Sequence, residues 1–164
     1  MKTAATLADV IAHPRRADDS ARDAFRNPQA TLEFFGVVPG MNVAEVWPGY
    51  YTKIIAPYLA ENGGTYTAIL YQEEGSERAA KRNAAFKDTY MGADGYGTIN
   101  TASFGAQDMP ITDANSLDMI LTFRNVHNWM GGDYADKALA DFYAALKPGG
   151  ILGVVEHRLP SASI

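Results

Sequence analysis

Short apolar runs alternate with amphipathic stretches along most of the chain after residue 40. The runs Val43–Trp47, Thr65–Tyr71 and Leu117–Phe123 are rich in aliphatic, β-branched and aromatic residues, which predicts buried strands. Two further strands are predicted at Tyr96–Phe104 and Ile151–Val155. Because helical spacing falls between the strands, the pattern predicts an α/β fold, a Rossmann-like open parallel sheet in the order 3-2-1-4-5 with flanking helices.

The helices of this domain are predicted from apolar residues three and four positions apart. Ser76 is expected to cap a helix that ends near Tyr90, and Asp133 is expected to cap a later one. The predicted buried face of that later helix consists of Leu139, Phe142, Tyr143 and Leu146. Residues 1–40 are predicted to form a leader with three helical segments, and residues 41–164 are predicted to form the α/β domain. The two parts are expected to make one globular unit.

The composition of the chain excludes several classes of protein function. The net charge of -5 argues against general nucleic-acid binding, which needs clustered Lys and Arg. The pair Arg15–Arg16 is followed by Asp18 and Asp19, so it is predicted to lie on a solvated face. The absence of cysteine excludes disulfides and thiolate nucleophiles. No signal peptide is visible and no apolar run approaches the ~20 residues that span a bilayer, so we expect a cytoplasmic protein without membrane contact.

Polar residues gather where the predicted strands end. Ligands of open parallel sheets bind beyond the carboxyl ends of the strands. The residues at these ends are Glu45, Pro48 and Gly49 after the first strand, Glu73 and Glu74 after the second, Asp108 after the third, Arg124, Asn125, His127 and Asn128 after the fourth, and Glu156 and His157 after the fifth. This asymmetry predicts a ligand cleft but selects no particular reaction.

His127 is the polar residue that we most expect inside this cleft. Its position beside Asn125 and Asn128 leaves two interpretations open, a hydrogen-bonded structural residue or a catalytic base. The three histidines of the chain have no carboxylate partner at ligand spacing, so the sequence predicts no metal site.

Five segments carry a resemblance to a known family. These are ARDAFRNPQATLEFFGVVPGM, VAEVWPG, YYTKIIAPYLAENGGTY, LTFRNVHNWM and FYAALKPGGILGVVEHR. Together they cover nearly the whole chain and resemble a bacterial family of predicted methyltransferases, within the class I S-adenosylmethionine-dependent methyltransferases. The resemblance implies S-adenosylmethionine as cofactor and methyl transfer to an unidentified small molecule.

The resemblance also implies site residues. Those assigned to the cofactor are Glu45, Pro48, Gly49, Glu73, Asp108, Arg124 and Asn125. The candidates for a catalytic role are His127 and Asn128. Methyl transfer needs little acid–base chemistry because the cofactor is already activated, so alignment of the acceptor is the main task of such residues.

The chain departs from the family pattern at its first motif. The family has a Pro-Gly-Gly-Gly loop followed by an aromatic residue, Tyr and Thr, whereas here Gly49 is followed directly by Tyr50 and Tyr51. Because glycine alone permits close backbone approach, a tyrosine here is expected to occupy cofactor space and weaken binding. The alternative function is therefore a non-catalytic methyltransferase-like binding or assembly module that has lost cofactor affinity.

A second departure concerns the sheet edge. The family has further strands after the fifth, which this sequence is expected to lack, so Ile151–Val155 is expected to form the border of the sheet. An apolar border strand offers free N–H and C=O groups to another chain, which predicts self-association through this edge. A third function, nicotinamide-dependent oxidoreduction, is disfavoured because the first turn lacks G-x-G-x-x-G.

Overall fold

The computed structural model describes residues 4–158. It contains a five-stranded sheet in the order β3-β2-β1-β4-β5, and every neighbouring pair is parallel. The strands are β1 (Asn42–Val46), β2 (Thr65–Tyr71), β3 (Ile99–Phe104), β4 (Leu117–Phe123) and β5 (Leu146–Val155). The predicted α/β class and strand order are confirmed. Since β1 pairs with β2 on one side and β4 on the other, the strand order reverses at the carboxyl end of β1.

The helices lie before β1 and between the strands. They are α1 (Leu7–Ile11), α2 (Asp23–Arg26), α3 (Pro28–Phe35), α4 (Thr52–Glu61), α5 (Glu77–Tyr90), α6 (Val126–Gly131) and α7 (Ala135–Ala145). Ser76 caps α5 as predicted, because its hydroxyl accepts the N–H of Ala79 at 3.2 Å. Within residues 4–158, no helix is long and apolar enough to cross a membrane.

Each face of the sheet is covered by its own apolar cluster. Successive residues of a strand point to opposite faces, so Val43 joins the cluster that contains Leu32 and Ile54, whereas Ala44 joins the one that contains Phe142. The prediction of which face of α7 is buried in this second cluster was wrong for two residues. Leu139 and Tyr143 are exposed on this helix, whereas Ala138, Phe142 and Ala145 are buried.

The leader packs onto the first of these clusters. Leu7 and Val10 of α1 are buried there. Arg16 was expected on a solvated face, but its side chain is only 1% exposed. Its guanidinium forms an ion pair with Asp23 at 2.6 Å and a hydrogen bond to the carbonyl of Ile11 at 2.7 Å. Burial of this charge is tolerated because several groups of opposite polarity surround it.

Candidate functional site

The turn between β1 and α4 is held by the buried carboxyl group of Glu45. One carboxyl oxygen accepts the hydroxyls of Tyr66 at 2.6 Å and Thr52 at 3.0 Å, and the other accepts the N–H of Gly49 at 3.3 Å. Burial raises the pKa of Glu45 to about 7, although these hydrogen bonds oppose the rise. Glu45 therefore joins the end of β1 to β2 and to the start of α4.

Trp47 occupies the turn position where the backbone is left-handed. Its φ of 48° lies in the region that favours glycine, and its N–H donates to the carbonyl of Ile69 at 2.8 Å. The indole stacks on Tyr71 with 4.7 Å between ring centroids, and its Nε1–H donates to the carbonyl of Phe104 at 3.3 Å. The ring thus lies across the carboxyl ends of β2 and β3, at the ligand-binding edge of the sheet.

Tyr50 and Tyr51 are directed to the leader. The Tyr50 hydroxyl donates to Asp23, and the Tyr51 hydroxyl donates to the carbonyl of Arg26 at 3.0 Å. Tyr51 also stacks on Phe123, with 3.8 Å between ring centroids. The two tyrosines that follow the shortened glycine loop therefore bind the leader to the turn and form one wall of the cleft beside it.

Three adjoining grooves follow the carboxyl ends of the strands, and Tyr71 borders all of them. The first, of about 420 Å³, lies beside Trp47 and Asn128. The second, of about 460 Å³, is bordered by Pro48 and Gly49. Glu73 borders the third, of about 670 Å³. These volumes lie in the range of ordinary ligand pockets, about 300–1,000 Å³.

A separate cleft of about 280 Å³ opens where β1 and β4 end. It is lined by three arginines and two histidines, namely Arg22, Arg26, Arg124, His127 and His157, besides the two tyrosines. Glu45 and Gly49 border its floor. The structure therefore brings Glu45, Gly49, Arg124 and His127 around one cleft, and places Asn128 in the neighbouring groove.

Two predicted site residues have other surroundings. The side-chain N–H₂ of Asn125 donates to the carbonyl of Val46 at 3.2 Å and to the hydroxyl of Thr122 at 3.1 Å, so it joins β4 to β1. Asp108 is exposed on the loop after β3. Within the described residues, no hydrogen bond or ion pair ties its side chain to the cleft.

His127 is accompanied by a carboxylate that comes from another strand. Its Nδ1 lies 3.0 Å from Oε1 of Glu156, and the N–H of His157 donates to the same oxygen at 2.8 Å. Burial would raise the pKa of Glu156, but the hydrogen bonds from these two histidines outweigh burial and lower it. The signal for this grouping was the adjacency of β4 and β5, which puts the residues after both strands side by side.

The same three residues are the ones that could hold a metal ion. Ligand atoms of His127, Glu156 and His157 all lie within 4.8 Å of one another. Sequence spacing gave the histidines no carboxylate partner, but the folded chain places Glu156 beside two of them. However, Nε of Arg124 donates to Nε2 of His157 at 2.8 Å, so a cation here would be placed beside a guanidinium group.

The sequence of the α/β domain matches a known family over most of its length. A family model described as a methyltransferase domain matches residues 48–154. The chain belongs to this methyltransferase family. The expected kinship with class I S-adenosylmethionine-dependent methyltransferases is thereby confirmed, and at the level of the family so is the expected cofactor. A search of curated proteins finds no match.

Solved structures share the fold at low sequence identity. The [4+2]-cyclase SpnF is 22% identical, with a TM-score of 0.51 over 79% of this chain and 43% of that one. A TehB-like SAM-dependent methyltransferase from Corynebacterium glutamicum is 17% identical, with a TM-score of 0.51 over 85% of this chain and 72% of its own. The glycopeptide N-methyltransferase MtfA, complexed with sinefungin, is 17% identical, with a TM-score of 0.51 over 77% of this chain and 50% of its own. The chain thus spans about half the length of SpnF and MtfA.

Proposed function

We propose that this chain binds S-adenosylmethionine along the carboxyl edge of its sheet and transfers the methyl group to a small molecule. The observation that carries the proposal is the methyltransferase-domain match, which extends from the β1–α4 turn to β5. The fold by itself would not support it, because one fold hosts many chemistries and SpnF, named a cyclase, has the same architecture.

The grooves along this edge fit the parts of the cofactor. The stacked rings of Trp47 and Tyr71 offer an apolar surface for a purine base. Glu73 is exposed at the end of β2, and one of its oxygens accepts the amide of Asn83 at 2.8 Å, so its carboxylate is held in place to accept ribose hydroxyls. A Cβ added to Gly49 would meet no atom within 4 Å, so the turn is open on the side where the methionine part would lie.

His127 would orient and deprotonate the acceptor. The bound cofactor supplies an activated methyl group, so the protein has to align the acceptor and take up the proton that it loses. If Nδ1–H of His127 donates to Glu156, then Nε2 is left as the proton acceptor on the cleft side. Glu156 thus acts as a positioning residue for His127.

Calorimetric titration with S-adenosylhomocysteine tests the cofactor site directly, and NAD serves as the competing ligand. We expect saturable binding of S-adenosylhomocysteine and none of NAD. Glu73→Gln should weaken S-adenosylhomocysteine binding about tenfold, because it replaces a charged hydrogen-bond acceptor by a neutral one. Glu77→Gln, an exposed glutamate at the start of α5, is the matched control and should change nothing.

The opposite result would favour the alternative function. Folded wild-type protein that gives no heat with S-adenosylhomocysteine would contradict cofactor binding and support a methyltransferase-like binding or assembly module. Self-association through the β5 edge is a separate prediction, which holds or fails independently of cofactor binding.

A further inference from the structure

Three guanidinium groups meet at the small cleft beside β1 and β4. Arg22 and Arg26 reach it from the leader, and Arg124 reaches it from the end of β4. Arg22 and Arg26 also lie over the ring of Tyr50, 4.9 and 5.6 Å from its centroid. The guanidinium groups of Arg22 and Arg26 are therefore held on one side of the cleft by the ring of Tyr50, which is itself buried.

These arginines have few acidic partners. Arg22 lies 3.2 Å from Asp19, but the other oxygen of Asp19 binds Lys53 at 2.7 Å. Arg26 forms no ion pair in the part of the chain that the structure describes. The Arg124 guanidinium donates a hydrogen bond from Nε to the ring of His157, which is not a carboxylate.

The carboxyl groups around the cleft do not neutralise the arginines. Asp23 is committed to the buried guanidinium of Arg16. Glu156 is bonded to the ring of His127. Glu45 is buried, and because burial raises its pKa to about 7 it is only partly ionised at neutral pH. The cleft therefore carries a net positive charge.

The neighbouring positive charges destabilise the charged form of Arg26. Its pKa is lowered by burial and then by the charges of Arg124 and Arg22. Like charges that are partly withdrawn from water repel one another, and an anion placed between them would remove the repulsion and gain charge-assisted hydrogen bonds. An arginine is also suited to bind carboxylate or phosphate oxygens in pairs.

We infer that the methyl acceptor of this protein is a small anion, whose carboxylate or phosphate binds between Arg26 and Arg124. This inference rests on the proposed function. The cleft volume of about 280 Å³ admits a compact molecule, smaller than the ligands of most pockets. His127 lines the same cleft, so an acceptor held there by its anionic group presents its remaining atoms to the ring that would take its proton.

Inorganic phosphate is the probe for the anion site. It is added at constant ionic strength, with chloride as the balancing anion, while the NMR signals of His127 and His157 are followed. We expect saturable shifts, and we expect Arg26→Gln and Arg124→Gln each to weaken phosphate binding about tenfold. Lys81→Gln removes the same charge from an exposed site on α5 and should have no effect.

Each variant is first checked for native circular dichroism, and the two arginine variants serve as independent tests, since one guanidinium belongs to the leader and the other to β4. Equal affinity of phosphate for the wild type and both arginine variants would overturn the inference. Shifts that fail to saturate would do the same.

A second titration distinguishes the acceptor from the carboxylate of the cofactor. Phosphate is titrated again with S-adenosylhomocysteine present at saturation. Undiminished phosphate binding supports an acceptor site, whereas competition would show that the arginines hold the methionine carboxylate and would overturn the inference. If S-adenosylhomocysteine fails to bind at all, the proposed function fails, and the acceptor assignment fails with it even if phosphate binds.

Discussion

Glu45→Gln should change how the stability of the protein depends on pH. Glu45 is 2% exposed, and burial raises its pKa from the ordinary 4.5 to about 7. The folded state therefore retains a proton on this group at pH values where the unfolded chain has lost it. By linkage, the free energy of unfolding falls as pH rises through this window and levels off above it.

The size of the effect follows from the pKa difference. A pKa unit corresponds to about 1.4 kcal/mol, so the shift from 4.5 to about 7 corresponds to a loss of about 3 kcal/mol between pH 4.5 and neutral pH. Glutamine cannot ionise, and its amide resembles the protonated carboxyl group in shape. The variant should therefore lack this loss, and its stability relative to wild type should grow by about 3 kcal/mol across the window.

Urea denaturation of both proteins at a series of pH values measures this difference. Carboxylates with lowered pKa, such as Asp23, act in the opposite direction at acidic pH, but they do so in both proteins and cancel. Glu33→Gln changes an exposed glutamate and should give a curve parallel to wild type. If the Glu45→Gln curve is also parallel to wild type, the pKa of Glu45 is not raised in the folded protein.

Two further changes test the reaction and the sheet edge. His127→Gln should lower turnover about 100-fold at saturating acceptor, because the proton acceptor is lost. The acceptors tested are small acids that carry a hydroxyl or amino group, and turnover is measured as release of S-adenosylhomocysteine. An unchanged rate would exclude the role of His127 as a base. Val154→Lys, which adds a charge to the apolar strand β5, should reduce concentration-dependent light scattering if the edge associates, and a wild type that stays monomeric at high concentration would contradict self-association.

The strands were the most predictable part of the fold. β2 and β4 have the bounds that their apolar runs predicted, because strands buried on both faces need continuous apolar sequence. β3 begins at Ile99, three residues later than Tyr96, since Gly97 has a φ of 65° that does not belong to a strand. Local sequence thus determined the elements well and their ends less well.

Which face of α7 is buried was not predictable from the large apolar residues alone. Phe142 and Tyr143 lie three and four residues after Leu139, which is helical spacing. Ala138 and Ala145, four residues before and three after Phe142, satisfy the same spacing on a different face. The small side chains are the buried ones, and they leave room for the helix to approach the sheet closely. In the same way, Arg16 gave no sign of burial, because its partners Asp23 and Tyr50 come from separate segments.

The grouping at the candidate site depended on topology, not on spacing. His127 and Glu156 are 29 residues apart, and no ligand motif joins them. The parallel register pairs Phe123 with Val155, so the residues that follow these two positions must emerge side by side at one edge of the sheet. The predicted strand order already contained that adjacency. A search for catalytic or metal-binding groups in an α/β chain should therefore compare the residues just after neighbouring strands, because chain separation is no measure of distance at this edge.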